Sequence, residues 1–173
     1  MPRQRVSVAL RCAAWAEALP RAERFAQHVV GAVLDDRRVG VRRPAEIGVV
    51  LADDGFVRRL NREHRGKDKP TNVLSFPLDD AAAAKGHRLL LGDVVLAYRT
   101  SRREAKAERK SIGRHAAHLL VHGTLHLLGF DHERAKAARI MEGHEVRILK
   151  RLGVPDPYRP DPYRAPARTG HAP

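Results

Sequence analysis

Three histidines at fixed spacing, His122, His126 and His132, constrain this chain more than any other feature. Residues four apart on a helix are neighbours on one face, so His122 and His126 share a target if the segment carrying them is helical. A metal ion about 2.0–2.1 Å from each ring nitrogen is the natural target. A position six residues further on points elsewhere on the helix, so the helix must stop before His132 and the chain must double back. Gly129 supplies the stop. Glycine enters the left-handed backbone of a helix end without a Cβ penalty, and Phe130 and Asp131 then bring His132 over the first two. The fold must therefore place a helix, a turn and a returning segment around one point.

Three imidazoles without a fourth protein ligand match catalytic zinc, in which water or substrate takes the open position; structural zinc usually closes its shell with four ligands, mostly Cys. Cys12 is the single cysteine, so a thiolate cage is excluded. The same histidine spacing occurs in metzincin proteases, where the residue after the first His is a Glu acting as general base. Here that residue is Gly123. Peptide hydrolysis by the usual route is therefore disfavoured, and the metal is left to activate water largely unaided.

These residues resemble the YbeY endoribonucleases, a family of ribosomal RNA maturation factors whose hallmark is His-Gly-x-Leu-His-Leu-x-Gly-(Tyr/Phe)-Asp-His. The stretch from His122 to His132 matches that hallmark without a gap. Leu60 to Pro77 and Leu91 to Val95 are also similar to the family, and the resemblance runs from Val6 to Leu152. It departs at His64, where the family often has Tyr. The resemblance implies a single-strand-specific, zinc-dependent endoribonuclease acting in maturation of small-subunit ribosomal RNA and in ribosome quality control. It implies one zinc per chain on His122, His126 and His132, Arg65 as the catalytic arginine, and RNA and the ribosomal small subunit as partners. By position alone, Arg65 is equally a surface arginine at a helix end or a phosphate ligand, since a guanidinium fork matches phosphate. The family match assigns it the second role. Lys67 and Lys69 in the same loop are RNA-contact candidates. Two other classes stay open: a zinc hydrolase of a non-RNA substrate, and a non-enzymatic zinc-stabilised RNA-binding or ribosome-associated factor.

The chain of 173 residues suits one domain, long enough to bury about 70% of its unfolded surface. Its net charge of +13 draws it to a polyanion, although a solvated basic surface has the same composition. With 5% aromatic residues, a broad base-stacking surface is not expected. No basic-then-apolar leader follows Met1, and the longest uncharged run, Leu119 to Phe130, is too short to span a bilayer. These features and the lone cysteine give the expectation of a soluble cytoplasmic protein.

In chain order, Arg5 to Leu10 alternates as a half-buried strand, and Pro20 opens a helix running to about Leu34. Trp15 reads as core. Glu46 to Leu51 is an internal strand, with Asp53 and Asp54 capping a helix that ends near His64. Asn72 to Phe76 and Leu89 to Tyr98 are strands, the second with a bulge at Gly92 and Asp93; residues 79–88 connect them as a surface segment. Arg99 to Lys110 is charged nearly all round and reads as a solvated helix or a basic ridge. Ser111 caps the metal helix, Ile112 to Leu128, on which His115 and His118 serve polar packing or orient the ligands. A last helix from Arg134 to Leu152 buries Met141, Ile148, Leu149 and Leu152. The expected fold is α+β, a four-stranded mixed sheet packed against a central metal-binding helix, and the resemblance implies the same, zincin-like (metzincin-like) fold. One domain covers residues 1–153, and 154–173 form a Pro- and Arg-rich tail without periodicity, expected to be disordered.

Overall fold

A computed structural model describes residues 4–78 and 88–159. The alternating segment forms strand β1, Arg5–Leu10, which pairs in parallel with β2, Ala45–Ala52, in the register Arg5 to Glu46 through Leu10 to Leu51. From Ile47 onward β2 reads as an apolar run because both its faces are covered. Ala45, Ile47, Val49 and Leu51 enter the main core, and Ala52 enters a smaller cluster on the opposite face. β3, Val73–Pro77, and β4, Leu89–Ala97, pair antiparallel, and β4 runs parallel to β2. The strand order is β1-β2-β4-β3, a mixed sheet as expected. The register slips where Glu46 and Ile47 oppose Leu90 and Gly92, the bulge expected around Gly92.

Among the described residues, six helices flank the sheet: α1, Ala14–Ala18; α2, Ala22–Leu34; α3, Asp54–Arg65; α4, Tyr98–Ala107; α5, Ile112–Leu127; and α6, Ala135–Arg151. The short α1 has no counterpart in the sequence reading. It seats Trp15 at full burial, with the indole N–H donating to the Ala52 carbonyl at 3.0 Å and the ring edge-on to Tyr98 at 5.2 Å. α3 covers the small cluster through Val57, while α2, α5 and α6 cover the other face of the sheet.

α5 is the centre of the molecule, packed against β3, β4, α2, α4 and α6. A helix enclosed in this way is apolar nearly all round, and its buried residues run from His115 to Leu127. Burying Leu120 and Leu125 completely stabilises the fold by roughly 1.5–3 kcal/mol each.

Four local expectations change. Asp53 alone caps α3, accepting from the Phe56 N–H at 2.7 Å, whereas Asp54 turns to the next element and accepts from the Thr100 amide at 3.1 Å and its hydroxyl at 2.7 Å. Strand β4 ends at Ala97, and Tyr98 begins α4. That helix is not solvated all round, since Tyr98, Ser101 and Ala105 form a buried stripe at helical spacing between its charges. The chain after α6 keeps order through Arg159. Gly153, at φ +73°, turns it back, the Val154 N–H donates to the Leu149 carbonyl at 2.9 Å, and Asp156 accepts from the Tyr158 N–H at 2.9 Å. The rest of the tail, 160–173, and the connection at 79–87 lie outside the described residues. Among the described residues, no helix is long and apolar enough to cross a membrane.

Candidate metal centre

Ser111 starts α5 by accepting from the Arg114 N–H at 3.2 Å, and from there the helical period places His122 and His126 one turn apart. Their Nε2 atoms are 3.1 Å apart and their ring centroids 4.6 Å. The direction in which they point is set by Gly123. A Cβ there would lie 2.7 Å from Val94 Cγ1 and 3.2 Å from both Ser75 Oγ and Val73 Cγ2, so this side of α5 is pressed onto β3 and β4. His122 and His126 project to one side of this contact rather than into it. The position that carries a carboxylate base in the metzincins has no room for a side chain in this fold.

The helix ends as its sequence requires. Gly129 sits at φ +89°, the Phe130 N–H reaches back to the Leu125 carbonyl at 3.1 Å, and the chain reverses. His132 returns with its ring 5.4 Å from that of His122 and 5.0 Å from that of His126. One ring nitrogen from each of the three lies within 4.8 Å of the others. A separation of 3.1 Å between two Nε2 atoms lets one ion touch both at about 2.0–2.1 Å. Burial, followed by repulsion from His122 and His132, lowers the His126 pKa below the usual imidazole value, which favours the neutral form that ligates metal. The donor set therefore fits a divalent ion with an open coordination position.

Behind the ligands lies a residue missed in the sequence. Glu145 of α6 is 0% exposed, and its Oε1 lies 2.5 Å from His122 Nδ1. An ionised carboxylate has no proton, so the imidazole donates, which fixes the tautomer and leaves Nε2 bare toward the metal side. The other carboxylate oxygen accepts from the Tyr158 hydroxyl and lies 3.6 Å from His118 Nε2. Burial raises the Glu145 pKa, but the hydrogen bonds from His118, His122 and Tyr158 outweigh it and hold the group at about 2. The atoms of His118, His122 and Glu145 also gather within 4.8 Å, yet hydrogen bonds already satisfy that carboxylate. The sequence did carry a signal: Glu145 is a lone carboxylate in register with apolar Met141, Ile148 and Leu149. His118 Nε2 lies 3.4 Å from the Tyr158 hydroxyl, in the same corner as Glu145. His115 instead pairs with Glu104 at 2.8 Å, and Glu104 also accepts from Asn72 at 2.9 Å, tying the residue before β3 to α4 and α5.

Arg65, the last residue of α3, is exposed and donates through Nη2 to the Ser75 carbonyl of β3 at 3.4 Å. Ser75 in turn donates its hydroxyl to the Gly123 carbonyl at 3.0 Å, beside His122. Two hydrogen bonds thus connect the guanidinium to the metal helix. The loop after Arg65 is shaped by buried Asn61, which donates to the Lys69 carbonyl at 2.8 Å, and by Asp68, held by Arg58 at 2.9 and 3.0 Å. Lys67 and Lys69 are exposed on this loop, where their contacts are through the backbone. His64 keeps a ring edge-on to Phe76 at 5.1 Å.

The family model for Endoribonuclease YbeY matches residues 13–153. An Endoribonuclease YbeY of Paramagnetospirillum magneticum is 48% identical over 160 residues, covering 88% of this chain and 94% of the relative. One of Rhizobium etli is 45% identical, covering 78% of this chain and 81% of the relative. The solution structure of TM1509 from Thermotoga maritima superposes with a TM-score of 0.50 at 19% identity, covering 90% of this chain and 99% of that one.

Proposed function

The chain belongs to the YbeY endoribonuclease family, and we propose that it is a zinc-dependent endoribonuclease that cuts single-stranded RNA during maturation of small-subunit ribosomal RNA and in ribosome quality control, in the cytoplasm. The observation that carries this reading is the convergence of His122 and His126 of α5 with His132 beyond the turn, within 4.8 Å, where Gly123, next to His122, leaves no place for a protease-type base. Zinc held there supplies Lewis acidity toward the phosphodiester oxygens.

The chain's own residues do the rest. His122 is held by Glu145 and keeps one tautomer, so the ligand geometry is fixed before substrate arrives. Arg65 offers a planar fork to a phosphoryl oxygen and stabilises the negative charge that grows there as the bond breaks. Lys67 and Lys69 flank the RNA backbone and contribute charge rather than sequence preference. The catalytic domain spans residues 1–153, followed by the tail 154–173, whose far part carries Arg164 and Arg168 for nonspecific RNA attraction.

The test is direct. Zinc-loaded protein incubated with single-stranded and duplex RNA of one sequence should cut the single strand, and His126→Ala should lose both zinc and cleavage. Binding without any cleavage by the zinc-loaded wild type would sink the nuclease reading and leave a ribosome-associated binding factor.

A further inference from the structure

We propose that Tyr158 is a positioning residue for the metal centre: its hydroxyl, donated to Glu145, holds the carboxylate that orients His122. The proposal rests on the reading that the three histidines hold zinc.

Glu145 sits between two donors on opposite oxygens, His122 Nδ1 on Oε1 and the Tyr158 hydroxyl on Oε2. The last torsion of a glutamate is soft, so packing alone does not fix the plane of the carboxylate, and partners on both oxygens do. His118 supports the same corner at longer range, 3.6 Å from Glu145 Oε2 and 3.4 Å from the Tyr158 oxygen, with its ring edge-on to Tyr158 at 5.6 Å. The strap that delivers Tyr158 is itself set by the left-handed turn at Gly153 and the Asp156 turn.

Exposure separates positioning from packing. Tyr158 is 47% exposed, so its ring adds little to the core, while its hydroxyl reaches a carboxylate that is 0% exposed. The cleft that contains His122 and His132 is also lined by Met141, Glu142, Glu145 and Tyr158, so this hydroxyl lies on the wall of the site. Its removal leaves a buried acceptor with a single distant donor, and the orientation of His122 loosens.

The test uses the full chain. The pentapeptide Pro-Asp-Pro-Tyr-Arg occurs at 155–159 and again at 160–164, so Tyr158→Phe is combined with Tyr163→Phe to keep the second tyrosine from taking the place of the first. Competition with a chromophoric chelator should show zinc affinity falling about 10–100-fold, while the protein in EDTA still melts cooperatively, its midpoint lowered by no more than the few degrees that one lost hydrogen bond costs. Because Tyr158 acts through Glu145, adding the two substitutions to Glu145→Gln should weaken zinc no further than Glu145→Gln alone. Wild-type affinity in the Tyr158→Phe/Tyr163→Phe chain overturns this proposal alone. So does loss of its apo fold, which makes the strap structural, or an additive effect on Glu145→Gln. A wild-type chain that binds no zinc overturns the metal reading, and this proposal with it.

Discussion

Nδ1 of His122 lies 2.5 Å from Oε1 of Glu145, a contact between a metal-site imidazole and a fully buried carboxylate one helix away. It ties α5 to α6 at the point where the ligands converge, and it selects the His122 tautomer whose Nε2 faces the other two histidines. Glu145→Gln keeps the shape but loses the charge, and its amide can turn either face to the imidazole. Zinc affinity should fall about 10–100-fold, the range for partners that orient ligands. Chelator competition measures this; affinity equal to wild type would mean that His122 is held by packing alone.

Gly123 gives a sharper result. Alanine there gains roughly 1 kcal/mol of helix propensity, but its methyl meets Val94 Cγ1 at 2.7 Å, and overpacking costs about 1–3 kcal/mol. The net effect should be destabilising and visible as a lower urea midpoint. Gly123→Glu should fail to fold rather than acquire a protease base, because the carboxylate would be driven into the sheet. A folded Gly123→Glu chain would contradict the packing described here.

The ligand triad was legible because helical periodicity and a terminal glycine are local rules: His122, His126 and Gly129 need no knowledge of the rest of the chain. The bulge at Gly92 was legible for the same reason, whereas position alone left Arg65 equally a surface arginine, and its role came only from the family resemblance. Gly123 was read as a missing base, but its packing role depends on how closely β3 and β4 approach α5, a tertiary distance. Glu145 left a trace, as a charge on an apolar stripe, yet nothing local names His122 as its partner 23 residues away. Tyr158 was hidden in a Pro- and Arg-rich stretch, since its role depends on the turn at Gly153. Truncation after Leu152, which from sequence should cost only RNA affinity, also removes Tyr158. A cut after Arg159 separates the two effects.

Asp36 supports a prediction about pH. It is 4% exposed and accepts from Arg147 at 3.0 Å and Arg151 at 2.8 Å, joining the end of α2 to α6. Burial raises its pKa, but the hydrogen bonds and charge of Arg147, with the Arg38 and Val39 amides, outweigh this and lower it below 3.8. The folded state therefore binds the proton less readily than the unfolded chain. The stabilisation is complete above pH 3.8 and is lost as pH falls from there through the folded value. Asp36→Asn should cost about 2 kcal/mol at pH 7, and the difference from wild type should hold to pH 5 and shrink below about 3.8. Urea titrations of both chains in EDTA across that range check the sign.

RNA binding should be steeply salt-dependent, because 33 Lys and Arg face 20 Asp and Glu, and each phosphate neutralised on a single strand contributes about 0.7 to the log–log slope. Lys67→Ala with Lys69→Ala should reduce that slope by about 1.4 and weaken different RNA sequences alike, since a point charge reads no base. An unchanged slope would place the loop away from the RNA.

Arg65 carries the last prediction. In the proposed reaction, with no carboxylate at position 123, charge placed around the phosphate lowers the barrier, and Arg65 is bonded to the strand that is itself bonded to the metal helix. Its contact to the Ser75 carbonyl, at 3.4 Å from an exposed side chain, contributes little to stability, so replacement should leave fold and zinc content intact. Arg65→Ala should lower the cleavage rate at least about tenfold, equivalent to about 1.4 kcal/mol of transition-state stabilisation. Lysine should restore part of that loss, because an ammonium keeps the charge without the bidentate fork. Single-turnover cleavage at saturating protein separates this from weakened binding. If Arg65→Ala cuts as fast as wild type under those conditions, the guanidinium is a surface group at a helix end, and Lys67 or Lys69 becomes the candidate for the same charge.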